Sequence, residues 1–414
     1  MGVLDGVRDR IEALLNESDA ERSRRYPGDS TERQPVHSVY VPADAIEPDL
    51  PSRWGQRALD ALEAAGGVEH LIRVHDLVHD SREIERIAAL VTAKLRREPI
   101  EDLRLDFEDG YGDHGDEEDG ALQHALDTIA QLRGAGTLPP WIGIRFKCLE
   151  PETRSRGMRT LEQFVSGLAE NGLPEGLVLT LPKVTDVTQV EAMVVLLETL
   201  ESKLGLPIGR LTFEIQVEAP QAVLGPEGTS LLPAMIAAGH GRITGMPYGT
   251  YDYSASLGIA PAQQSMEHPA ADHAKSVMQV AAAGTGVRLS DGSTNILPVG
   301  STQQVDAAWA LHGRLVMRSL RRGFYQGWDM HPAQLPSRYA ATYAFFRQGL
   351  AEVLPRLENY LGAKGGDVLD EPATAKAMAG FLLRGIDCGA VSGDEMPFEP
   401  SDLRAVLGQG DGEA

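Results

Sequence analysis

Apolar positions along the chain fall into a repeating order: a short run, a break at Gly, Pro or Asp, then a longer stretch at helical spacing. The short runs are HSVYVPA (37–43), LRLDFED (103–109), WIGIRFK (141–147) and GLVLTLPK (176–183). They continue with RLTFEIQVEAP (210–220), GRITGMPYG (241–249), GVRLSDG (286–292) and FYQGWDMHP (324–332). Short apolar runs bounded by turn residues predict buried strands. The intervening ALDTIAQLRGAG, TLEQFVSGLAENG and VEAMVVLLETLESKLG predict helices, each ending at or near a Gly.

Strands alternating with helices in this number predict a (β/α)8 TIM barrel of the α/β class. An open doubly wound sheet is expected to carry a Gly-rich loop after its first strand, and VPADAIEPD has none. The chain exceeds a minimal barrel at both ends. The expected division is an N-terminal helical extension (1–36), the barrel (37–335), a C-terminal helical cap or lid (336–405) and a disordered tail (406–414). Helices are also expected inside segment 45–100, between the first two strands.

Charge narrows the partners. Against 38 Lys and Arg stand 60 Asp and Glu, a net charge of −22. Nucleic acid and anionic membranes, which select basic patches, are disfavoured. No apolar run approaches the roughly 20 residues that cross a bilayer. MGVLDGVRDRIEALLNESDAERSRR reads as a charged helix without a signal-peptide core, and Cys148 and Cys388 lack metal-type spacing. A cytoplasmic protein is expected.

A barrel of this kind carries its chemistry at the C-terminal ends of its strands. The second run ends in Asp106, Glu108 and Asp109, and the third carries Arg145 and Lys147. Lys183 ends the fourth and Glu218 the fifth. The sixth leads into Asp252, and the eighth ends in Asp329 and His331. By strand alternation Glu214, Gln216 and Glu218 share one face, and acids facing a barrel interior call for a cation or ligand. Carboxylates from different strands suit a hard divalent ion such as Mg²⁺. Other polar clusters read as ordinary structure. His331 before Pro fixes a turn, Glu267, His268, Asp272 and His273 open a helix, and His114 lies on a solvated loop.

These segments, in this order, resemble those of the HpcH/HpaI aldolase superfamily, nearest to its citrate lyase β-subunit/malyl-CoA lyase group. HSVYVPAD resembles the opening strand, with Ala43 where Gly is usual, and LRLDFEDG resembles the D-L-E-D segment. IGIRFK resembles the R-V-N strand, with Lys147 in place of Asn, and LTLPKV the L-P-K strand. VEAPQAVLG, YGTYDYSASLG, GFYQGWDMHPAQL and LRGIDCG resemble the family's later segments.

The resemblance implies a barrel of the phosphoenolpyruvate/pyruvate type with Glu218 and Asp252 as metal ligands. Arg145, Glu108, Asp109 and Asp387 become the catalytic candidates, the last by analogy with an acid supplied to a neighbouring subunit. Arg145 and Lys183 become the substrate-binding candidates. The implied cofactor is Mg²⁺, with Mn²⁺ as a substitute, and the implied assembly is a homo-oligomer, trimer or hexamer. The implied reaction is cleavage or formation of a carbon–carbon bond in a hydroxy-acid or hydroxyacyl-CoA through a metal-stabilised enolate. Use of an acyl-CoA is left open, with Arg53, Arg57, Arg73 and Arg82 available for its phosphates. Three alternatives stand beside it: a class II pyruvate-type aldolase on free 2-oxo acids, a malate-synthase-like condensing enzyme, and an effector-binding protein with a metal pocket.

Overall fold

The computed structural model describes residues 6–362 and 371–408. All eight expected runs form strands: β1 (His37–Pro42), β2 (Asp102–Asp106), β3 (Trp141–Arg145), β4 (Leu177–Leu181), β5 (Phe213–Ile215), β6 (Ile243–Pro247), β7 (Arg288–Ser290) and β8 (Gly327–Asp329). They pair in parallel in the order β7-β6-β5-β4-β3-β2-β1-β8, and a parallel bridge between Ser290 and Gln326 joins the two ends into a barrel. The strands are shorter than their apolar runs, so several residues expected on strands lie in the loops beyond them.

Helices surround the barrel. Leu50–Ala64, Gly67–His75 and Ser81–Arg97 fill the segment between β1 and β2. Asp80 caps the last of these, accepting from the Arg82 and Glu83 N–H groups. Asp186 and Gln189 form a capping box on Val187–Leu204, which ends at Gly205 in the left-handed region at φ 65°. After β8 the chain enters a 27-residue helix, Leu335–Leu361, packed on Thr302–Arg321 and Ser81–Arg97. Pro372–Asp387 packs on that helix in turn. At the other end, Arg8–Arg25 has no buried residue. Of the expected disordered tail, 406–408 instead close the helix Pro400–Gly408, where Val406 is buried, and 409–414 lie outside the described residues. No described helix is long and apolar enough to cross a membrane.

The outward faces of the strands supply an apolar core, including Val39, Leu103, Leu105, Ile142, Ile144, Leu179 and Phe213, all 0 % exposed. The bore is polar, unlike the branched aliphatic filling usual in such barrels. Arg104 Nε and Nη2 donate to Asp102 at 2.6 and 2.7 Å, and its Nη1 reaches Thr180 at 2.9 Å and Glu214 at 3.0 Å. Ser38 donates to Asp102 at 2.7 Å, and Gln326 donates to Ser38 at 2.9 Å. Gly245 makes room for this network, since a Cβ there would stand 2.6 Å from Glu214 Oε1.

Candidate active site

Above the bore, the C-terminal ends of β2 to β6 bring acids and bases together. Asp106 ends β2 and takes the fork of Arg145, with Nε at 2.8 Å and Nη2 at 2.5 Å. The same carboxylate accepts the N–H groups of Glu108 at 3.1 Å and Gly110 at 2.8 Å. It therefore fixes the arginine and folds the loop that carries Glu108 and Asp109. Arg145 keeps its Nη1 edge clear of Asp106, 3.4 Å from Glu108 Oε2. Tyr40 and Trp328 flank it, each ring centroid 5.3 Å from Cζ, with the two centroids 4.2 Å apart. Burial opposes its charge, but Asp106 and Glu108 more than offset this and hold the guanidinium firmly protonated.

Lys183 joins the acids. It follows β4 in the left-handed region, at φ 51°, and its backbone N–H donates to Glu218 Oε1 at 2.8 Å. Its ammonium pairs with Glu108, lies 2.8 Å from Asp109 Oδ2 and 3.7 Å from Asp252 Oδ1. Burial works against the ammonium, and Glu108 and Asp109 overcome it, raising its pKa. Burial likewise pushes Glu108 up against the pull of Arg145 and Lys183. Asp109 is less enclosed, and there Lys183 overcomes burial and lowers the pKa.

Glu218 is 1 % exposed. Burial pushes its pKa up to about 8, with Arg145 opposing and the charges of Asp252 and Glu108 adding to the rise. Its second oxygen accepts from Gln216 Nε2 at 2.5 Å. Gly249, after β6, closes over it, since a Cβ there would stand 2.5 Å from Glu218 Cβ. Asp252 opens the helix Thr250–Ser256 and is more exposed.

The donor set suits a hard divalent cation. Carboxylate oxygens outnumber the two bases here, and each Glu218 oxygen takes one N–H, leaving further lone pairs. Among the described residues no cluster of three or more His, Cys, Asp or Glu is arranged to hold an ion alone. Two carboxylates plus water and substrate oxygens are what Mg²⁺ commonly takes.

Other expected residues lie elsewhere. Asp329 does not reach the mouth. Trp328 turns into the bore, so alternation sends Asp329 outward to Arg338 at 2.9 Å, His37 at 2.8 Å and His312 at 3.2 Å. Lys147 is also diverted: β3 stops at Arg145, and the ammonium donates to the carbonyls of Phe107 and Gly112, both at 2.7 Å, and pairs with Glu118. In its own chain Asp387 sits at the opposite end of the barrel. Its charged neighbours include Arg33, just before β1, and Arg288, the first residue of β7. His331 accepts from the Ala333 N–H at 3.2 Å, and His268 from Ala270 at 3.1 Å, both as turn or helix caps. His114 lies on an exposed turn, bonded to the Tyr111 carbonyl at 3.0 Å. Arg104, Tyr40 and Trp328 went unnoticed in sequence, although the period-2 pattern of their strands puts them on the bore face.

Residues 15–407 match the family described as Domain of unknown function (DUF6986). None of the curated proteins matches the chain by sequence. Among solved structures, a citrate lyase from Burkholderia xenovorans LB400 superposes with a TM-score of 0.58 at 17 % identity, over 90 % of this chain and 97 % of that one. Haloferax volcanii malate synthase, as its magnesium/glyoxylate complex, superposes with a TM-score of 0.52 at 14 % identity, over 91 % and 98 %. Its pyruvate/acetyl-CoA ternary complex gives 0.52 at 14 %, over 91 % and 99 %. The chain thus shares the fold of these proteins, a TIM barrel.

Proposed function

Since the chain belongs to the DUF6986 family, whose description names no activity, we propose its function from the site itself: a Mg²⁺-dependent carbon–carbon lyase of the citrate lyase β-subunit kind. The observation that carries this is the meeting of Glu108, Asp109 and Asp252 on Lys183, whose backbone holds Glu218, with Arg145 alongside. Glu218 and Asp252 hold the ion. When bound, it supplies Lewis-acid stabilisation of oxyanion charge.

The chain's own groups do the rest. Arg145, locked by Asp106 and enclosed by Tyr40 and Trp328, presents its Nη1 edge to the substrate carboxylate. Lys183 offsets the substrate's negative charge at the mouth, and Glu108 and Asp109 hold that ammonium in place. Asp387 serves as acid/base only when a second copy brings it to this mouth, which calls for a homo-oligomer. Of the arginines available to a CoA phosphate, Arg53 and Arg73 pair with Asp49 and Glu69, at 3.4 and 3.0 Å. Arg57 instead acts on His331, just beyond β8.

The test is a Mg²⁺-dependent assay, run in both directions, on hydroxyacyl-CoA thioesters and on free 2-oxo-4-hydroxy acids. Turnover that Glu218→Gln and Asp252→Asn each abolish is the expected result. Cleavage of free acids alone selects the aldolase reading, and condensation without cleavage selects the malate-synthase-like one. No turnover of either class, with Mg²⁺ binding intact, selects the effector-binding protein.

A further inference from the structure

Gln216 lies directly below Glu218 on the bore face of the segment following β5 and is 1 % exposed. Its Nε2 donates to Glu218 Oε2 at 2.5 Å, while its Oε1 is buried and has no hydrogen-bond partner. A buried amide oxygen without a donor is destabilising, and an apolar side chain of similar shape would avoid that cost. Packing alone therefore does not account for an amide at this position.

The surroundings say what it does. The Glu218 carboxylate is held at one oxygen by the Lys183 N–H and at the other by Gln216, which together fix its plane. Gly249 closes the third side, a Cβ there lying 2.5 Å from Glu218 Cβ and 3.3 Å from Gln216 Nε2. The Lys183 donor is backbone and survives substitution. Gln216 is the side chain that sets the carboxylate's orientation.

We infer that Gln216 is a positioning residue that aims Glu218 at a divalent cation. This rests on the reading of Glu218 as a cation ligand. Partners that orient a ligand in this way change metal affinity by about 10–100-fold when removed.

The experiment is Mn²⁺ binding to the full chain, followed by the loss of the free-ion electron paramagnetic resonance signal, with no substrate present. Gln216→Met is expected to weaken binding about 10–100-fold and, because it leaves the buried Glu218 Oε2 without its donor, to lower the melting temperature as well. A purely structural glutamine would lower stability too but leave the Mn²⁺ affinity unchanged, so affinity is the readout that decides. Gln216→Asn, whose amide is too short to reach Glu218, is expected to show the same loss and stands in should the Met variant fail to fold. Wild-type affinity in either variant, with binding abolished in Glu218→Gln, overturns the role of Gln216 and leaves the site reading intact. Wild-type affinity in Glu218→Gln overturns the site reading and the inference together.

Discussion

Lys183 reaches Glu218 through its backbone, N–H to Oε1 at 2.8 Å, and it does so from the left-handed region at φ 51°. An L-residue other than Gly pays about 1–2 kcal/mol for that conformation. Lys183→Ala and Lys183→Gly both remove the ammonium, but only Gly relieves the backbone. The Gly variant is expected to be more stable than the Ala variant by about 1 kcal/mol in urea unfolding, with activity low in both. Equal stability would mean that the conformation carries no strain.

Arg145 is committed to Asp106 by two bonds and is 3 % exposed. Lysine cannot reproduce a bidentate fork. Arg145→Lys is therefore expected to lower catalytic efficiency at least about 100-fold, equivalent to some 2.7 kcal/mol in the transition state, and to lower the melting temperature as well. The second effect follows because Asp106 also folds the Glu108–Gly110 loop. Steady-state kinetics with a thermal melt decides it, and an active, stable variant removes Arg145 from the site.

In the bore, Arg104 is surrounded by Asp102 and Glu214. Removing one partner of a buried ionic group leaves uncompensated charge and costs about 3–5 kcal/mol. Arg104→Met is expected to lose that much in urea unfolding, and adding Glu214→Gln to recover part of it. A double variant no better than the single one would show that the two are not coupled.

His75 sets a pH dependence. It is buried against Gly313, where a Cβ would lie 2.6 Å from Nε2, and bonds Ser337 at 2.9 Å. Burial, and then the nearby His312, push its pKa down to about 3, against about 6.5 in an unfolded chain. Between those values the unfolded state binds the extra proton, so stability is full above pH 6.5 and falls as pH drops toward 3. From pH 6.5 to 5 the expected loss is about 2 kcal/mol. Urea midpoints across that range should shift less in His75→Gln, and an unchanged slope would exclude His75 as the cause.

The barrel was legible because each strand is a short apolar run between turn residues, and the bore face of Glu214, Gln216 and Glu218 was legible because the Val217–Tyr248 bridge keeps the chain extended past the end of β5. Strand ends were less legible. Alternation holds only while a residue is in a strand, so Lys147, beyond the end of β3, could not be placed by it. Asp329 lies near the mouth in sequence, but its neighbour Trp328 faces inward, and that sends the carboxylate to the outer face. Arg104 shares its face with Asp102, two residues earlier, but nothing in DLRLD signals its other partners Thr180 and Glu214, more than seventy residues away.

Trp328 is one of only four tryptophans in the chain. It lies against the guanidinium proposed to grip the substrate, with the Arg145 Cζ 5.3 Å from its ring centroid. The site thus carries its own optical reporter: any ligand that draws on Arg145 changes the field across an indole, and occupancy can be followed by emission before any product is known.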